Sequence, residues 1–107
     1  MSDKTSFIVH LPGKPEHREE LESKLIAVLE RMAEEPDFIN TYLHRSVDDP
    51  DTLVLYETWA CSREHFQSHH LKAPYRREYE AALPTLLKRT RTLEFLEPVR
   101  DYVKSTK

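Results

Sequence analysis

The sequence predicts an α+β sandwich: a four-stranded antiparallel sheet, built in the order strand, helix, strand, strand, helix, strand, with its helices on one face. Three observations predict it. The apolar period switches between two and 3.6 in that order along the chain. Asp48-Asp49-Pro50-Asp51 supplies turn chemistry between two strand-like runs, since short polar side chains bond their own backbone and proline presets φ. The chain has 107 residues, enough for one modest core and too few for a second module. It reads as a single domain over residues 1–107, with a core from about residue 6 to 96 and a charged tail over 97–107.

Each element has its own signal. Phe7 to Leu11 is a β-rich apolar run stopped by Pro12-Gly13, the first strand. A helix follows, with Pro15 in its first turn, Glu16, Glu19 and Glu20 at the positive end of its dipole, and Leu21, Leu25, Val28, Leu29 and Met32 along one stripe. Pro36 ends it. Phe38 to Ser46 reads as the second strand, with Ile39, Thr41 and Leu43 alternating against Asn40, Tyr42 and His44. Beyond the turn, Thr52 to Trp59 is nearly all β-branched, aromatic or apolar, which predicts a third strand buried on both faces. Ser62 is a fitting N-cap for a helix through Phe66. Another helical stretch opens at Pro74, aligns Tyr75, Tyr79 and Leu83, and is expected to break at Pro84. Thr90 to Leu96 is the last strand, setting Thr90, Thr92, Glu94 and Leu96 against Arg91, Leu93 and Phe95. The plan is that of a ferredoxin-like βαββαβ sandwich. Tyr42, Val54, Tyr56, Leu93 and Phe95 are too many large side chains to leave in water, so a second sheet should cover them, most simply in a C2 homodimer that closes two sheets into a barrel.

Composition excludes several function classes. The 16 Lys and Arg stand against 19 Asp and Glu, interspersed, for a net charge of −3. No concentrated basic stripe exists to displace counterions, which argues against nucleic acid as a partner. Cys61 is the only cysteine, so neither an intrachain disulfide nor a four-thiolate zinc site can form. No apolar run approaches the roughly 20 residues that span a bilayer, and the N-terminal apolar run is too short for a secretory signal, so a cytoplasmic protein without a membrane partner is expected. Gly13 is the only glycine, and with it the Gly-rich fingerprint of a flavin or nicotinamide site is absent.

The run Leu53-Val54-Leu55-Tyr56-Glu57-Thr58-Trp59, then Phe66 and His69 on a short helix, then Pro74-Tyr75, resembles the antibiotic biosynthesis monooxygenase family of dimeric α+β barrels. Glu35-Pro36 is similar to the Glu-Pro that precedes that family's second strand, and the likeness covers about Ser6 to Leu96. Three departures stand out. Asp37-Phe38 replaces the usual Gly and small residue, Ala60-Cys61-Ser62 makes the approach to the helix one residue longer, and Pro74 stands where a second His is expected. The resemblance implies a homodimer that oxidises a small electron-rich aromatic, a quinol, phenol or anthrone, with O2 and no cofactor. A binding or catabolic domain of the same fold, and a purely structural dimer, are the alternatives.

The candidate residues lie around the second helix. His69 and Tyr75 are the expected catalytic pair: the family position supports His69, and a near-neutral imidazole suits proton removal from a phenol. Phe66 and His69 are three apart and share a helix face, so His69 is expected inward, with His65 and His70 towards solvent. The alternative for His69 is a histidine hydrogen-bonded into the core. Trp59, Phe66 and Tyr79 are expected to wall a pocket for a flat ring, with Glu57 and Asn40 as its polar contacts; core packing, a structural ion pair and simple exposure are the respective alternatives. His65 and His69 have chelating i, i+4 spacing, but Phe66 stands where the zincin pattern needs Glu and no third ligand is recognisable, so no metal is expected.

Overall fold

The computed structural model describes residues 4–105. Its elements are β1 (Thr5–Pro12), α1 (Arg18–Met32), β2 (Phe38–Arg45), β3 (Thr52–Trp59), α2 (Arg63–His65), α3 (Arg77–Leu86) and β4 (Thr92–Leu96). Short 3₁₀ turns, Pro15–His17 and Pro74–Arg76, lead into α1 and α3, and α2 runs directly into a π turn, Phe66–His70. The sheet order is β2-β3-β1-β4, every neighbouring pair antiparallel. Both β1 and β2 are antiparallel to β3, so they run parallel to each other, and α1 is the crossover between them.

One face of this sheet makes the core. Phe7, Val9 and Leu11 of β1 alternate inward beside Leu53, Leu55 and Trp59 of β3, and the α1 stripe Leu21, Leu25, Val28 and Met32 closes over them together with Tyr79, Leu83 and Leu86 of α3. Leu93 and Phe95 of β4 also point inward, with the Phe95 ring centroid 5.3 Å from that of Phe7. Gly13 closes the end of β1 because nothing larger fits: its N–H donates to the Asp51 carbonyl at 3.1 Å, and a Cβ there would sit 2.6 Å from that same oxygen.

One expectation needs correction. Pro84 does not break its helix, which continues to Leu86; the proline deletes one backbone donor only two residues from the end, where Leu87 N–H still reaches the Leu83 carbonyl at 2.9 Å. Within one chain the helices cover a single side of β3, so Tyr56 is exposed and Val54 and Thr58 are half-buried on the side where the sequence expects a second sheet. On that open face Tyr42 and Tyr56 lie side by side, ring centroids 6.4 Å apart and 55% and 38% exposed. Residues 97–105 carry neither helix nor strand.

Candidate active site

Beneath the sheet, between β1, β3, β4 and the helices, lies a cavity of about 20 Å³, room for about one water. Phe7, Val9, Leu55, Phe66 and Leu93 make its apolar walls, and Glu57, Arg76, Tyr79 and Arg91 supply its polar groups. Strand alternation puts Glu57 there, on the same side of β3 as Leu55 and Trp59. A carboxylate that deep is costly unless paired. Among the described residues its one direct donor is Trp59, whose Nε1–H reaches Oε1 at 3.0 Å. Burial pushes the Glu57 carboxyl above the ordinary range, against the pull of that hydrogen bond and of the charges on Arg76 and Arg91.

The two arginines converge on one carboxylate. Arg76 donates through Nε and Nη2 to Glu80 Oε2 at 3.3 and 2.8 Å, and Arg91 Nη1 reaches the same oxygen at 2.9 Å. Burial alone would raise the Glu80 carboxyl, but the hydrogen bonds and charges of Arg91 and Arg76 hold it below the usual range. Among the described residues Arg76 Nη1 finds only Met32 Sδ, at 3.5 Å, a weak acceptor for a guanidinium donor. Both Met32 and Arg76 line the cavity, so this donor is the one best placed to take a ligand oxygen. Tyr79 packs beside Arg76, its ring centroid 5.6 Å from the guanidinium carbon, and burial pushes its hydroxyl up to about 12.

Of the residues singled out in the sequence, Glu57, Phe66 and Tyr79 line this cavity. Trp59 stands behind Glu57 with no exposure, surrounded by Phe38, Phe66 and His70, whose ring centroids lie 5.4, 5.5 and 4.4 Å away. The other three are placed elsewhere. Asn40 pairs with Thr58 on the opposite face of the sheet. Tyr75 packs against α1 away from the cavity, half-buried under the Arg31 guanidinium at 5.2 Å, and lines a groove with Val28 and Lys24. Its hydroxyl is pushed up to about 12, first by burial and then by the Glu35 carboxylate, which suits neither acid nor base work at neutral pH.

His69 is exposed and His70 is buried, the reverse of the expectation. At about 100° per residue an α-helix puts His69 about 60° to one side of Phe66 and His70 about 40° to the other, so three-residue spacing could not decide between them. The backbone decides it. Leu71 N–H donates to the Phe66 carbonyl at 2.9 Å, an i→i+5 bond whose wider turn keeps His70 under Phe66 and carries His69 out to stack on His65 at 4.9 Å. The inward His70 is 3% exposed and its Nε2 lies 2.8 Å from Asp37 Oδ2.

Arg76 and Arg91 were missed as site residues, although the signals existed. Arg91 shares the inward parity of Leu93 and Phe95, and Arg76 stands four residues before Glu80 on the helical stretch.

A four-stranded antiparallel sheet with helices over one face and a small charged cavity between the layers defines a ferredoxin-like α+β domain of monooxygenase-like fold. The chain belongs to the antibiotic biosynthesis monooxygenase family, whose sequence pattern matches residues 6–82. Its structure is similar to that of a Mycobacterium tuberculosis protein, with 23% identity, a TM-score of 0.82, and 94% of this chain and 100% of that one covered. It is also similar to a candidate antibiotic biosynthesis monooxygenase from Nitrosomonas europaea (18% identity, TM-score 0.81, 92% and 93% covered). A Pseudomonas aeruginosa protein is comparable, at 20% identity and a TM-score of 0.81 over 94% and 98% of the two chains. No curated protein matches the chain by sequence. Among the described residues no helix is long and apolar enough to cross a membrane.

Proposed function

We propose that the protein is a monooxygenase that oxidises a small electron-rich aromatic, of quinol, phenol or anthrone type, with O2 and no organic or metal redox cofactor, and that Glu57 is its base. The observation that carries this reading is the cavity's donor set: a buried carboxyl raised by desolvation faces two arginines, one with a donor unspent on any oxygen. For an anthrone, Glu57 takes a proton from the ring methylene, and the anion that forms is stabilised by Arg76 and Arg91. The anion gives one electron to O2. Substrate radical and superoxide then join in a C–O bond, and protonated Glu57 returns its proton to the peroxide. Loss of the second C–H proton to Glu57 expels hydroxide, which leaves as water once protonated. One oxygen atom stays in the product carbonyl, the other departs in water with both hydrogens, and no external reductant is required.

The cavity as it stands does not hold a ring. Arg91 lines both it and an outer cleft of about 500 Å³ that includes Glu80, Leu83 and Leu87, so an outward swing of Arg91 is the motion that would join the two volumes. Its present size is the observation that favours the competing reading, a structural dimer whose pocket is filled by its own side chains. Oxygen uptake separates them. Aerobic incubation with a panel of quinols and anthrones, without added metal or flavin, is expected to consume O2 in proportion to protein. No uptake beyond the substrate's own autoxidation with any of them would sink the oxygenase reading.

The open face of the sheet supports a homodimer. Tyr42 and Tyr56 sit there with Val54, Ile8 and Leu96, large side chains of the kind a second sheet covers, interspersed with His10, His44 and Glu94. Sedimentation at micromolar concentration is expected to show twice the 12.7 kDa chain mass, and a single 12.7 kDa species would exclude the dimer. Replacing Tyr42 and Tyr56 together by Ser should shift the population towards that species without unfolding it.

A further inference from the structure

We propose that Asp37, Cys61 and His70, with His65 as the fourth donor, form a zinc(II) site that ties the start of β2 to the end of β3 and to the π turn. One donor atom from each of Asp37, Cys61 and His70 lies within 4.8 Å of the others. The Asp37 Oδ2 atom stands 2.8 Å from His70 Nε2 and 3.5 Å from His65 Nε2. Tetrahedral zinc, with bonds of about 2.0 Å to nitrogen or oxygen and about 2.3 Å to sulfur, needs its donors about 3.3–3.7 Å apart. The Asp37–His65 separation falls in that range, the Asp37–His70 pair is closer, and the donors of the triad lie within 4.8 Å, so binding requires the side chains to adjust around the ion. Asp37 stands 24 residues before Cys61, whereas Cys61, His65 and His70 fall within ten residues, so only folding brings the carboxylate to the other donors.

The backbone already holds the donors in place. Ala60 N–H donates to the Asp37 carbonyl at 2.6 Å, and the Thr5 hydroxyl donates to the Cys61 carbonyl at 2.7 Å, so the two segments that carry the oxygen and sulfur ligands are pinned to each other and to β1. Ser62 Oγ accepts from His65 N–H at 3.0 Å and fixes the start of the helical segment that presents both imidazoles. Within it His70 is 3% exposed, yet among the described residues its Nδ1 has no hydrogen-bond partner, so the ring's fixed polar contact is the one to Asp37. Mixed imidazole, thiolate and carboxylate donors in a tetrahedral arrangement select a borderline-soft divalent ion.

Charge balances on binding. The Cys61 thiol releases its proton to solvent and binds as thiolate, Asp37 binds as carboxylate and both histidines bind neutral, so two negative ligands cancel the ion's two positive charges in a half-buried site. Asp37 and His65 are partly exposed, with side chains 34% and 48% accessible, which leaves a path from solvent. The Trp59 ring lies 4.4 Å from His70 and its Nε1–H holds Glu57, so the ion would stiffen the wall behind the cavity without entering it.

The test uses the full chain, stripped with chelator and reloaded with one metal at a time. Cobalt(II) is expected to give the intense visible bands of a tetrahedral ion together with a near-ultraviolet thiolate charge-transfer band, and zinc(II) is expected to displace it at one equivalent per chain and to raise the Tm. Cys61→Ser should lose the charge-transfer band, and Asp37→Asn should lose the Tm rise, each with the metal-free variant checked for an intact thermal transition. His69→Ala should bind as the parent does. A wild-type cobalt spectrum without the charge-transfer band overturns the assignment whatever the variants do. An equal Tm rise in the parent, Cys61→Ser and Asp37→Asn would place the ion on the exposed His65–His69 pair, and would overturn it too.

Discussion

Glu57→Gln is expected to lower turnover of an accepted quinol or anthrone by roughly 10²-fold or more while leaving the protein folded, because glutamine keeps the acceptor for Trp59 but cannot take a proton. The pH dependence sharpens the test. Only the ionised carboxylate is a base, and burial raises the Glu57 carboxyl above its ordinary 4.5, so the parent's rate should climb with pH through a midpoint above that value. The glutamine variant should lack this limb. Stability moves the opposite way. At pH below the unfolded-state value both states are protonated; as pH rises past it the unfolded chain gives up this proton first, and stability falls until the folded-state carboxyl ionises as well. Glu57→Gln removes that loss, so the variant should resist urea better than the parent at neutral pH. A variant that keeps the full rate and the acid limb removes Glu57 from the chemistry and returns it to a structural role. His69 is exposed and away from the cavity, so His69→Ala should leave the rate unchanged, and a loss as large as that of Glu57→Gln would reverse the roles assigned to the two residues.

Trp59→Ala is expected to cost about 3–5 kcal/mol of stability, the usual range for emptying a fully buried aromatic position. Trp59 has no exposure and touches three rings, those of Phe38, Phe66 and His70, so little around it can collapse into the space. The same change leaves Glu57 without its donor. Trp59→Phe separates the two effects. It keeps most of the packing but deletes the Nε1–H, so it should lose less stability than alanine while moving the midpoint of the acid limb further up. Urea titrations at one fixed chain concentration measure both, since a dimer makes apparent stability depend on concentration. A loss under 1 kcal/mol in Trp59→Ala would show that the aromatic cluster does not hold the β3 end of the core.

Local periodicity was enough for most of the architecture. The β-rich apolar runs Phe7 to Leu11 and Thr52 to Trp59, the stripe from Leu21 to Met32 and the Asp-Pro turn predict the strand and helix order that the sheet realises, because each is set by which side chains a single element must bury. Alternation in Thr90 to Leu96 also sets Arg91 with Leu93 and Phe95, whereas the apolar run Thr52 to Trp59 leaves open which face Glu57 takes until the helices cover one side. What no window of sequence contains is the partner. Asp37 is 33 residues before His70 and meets it and Cys61 only because the start of β2 lies beside the end of β3, where the π turn also comes in. Arg76 and Arg91 acquire a joint role only when α3 and β4 bring them to Glu80. The choice between His69 and His70 lay below the resolution of spacing, since both flank Phe66 on an α-helix. One i→i+5 hydrogen bond, a property of how the segment packs under Trp59 and Phe7, turned His70 inward and left His69 in solvent.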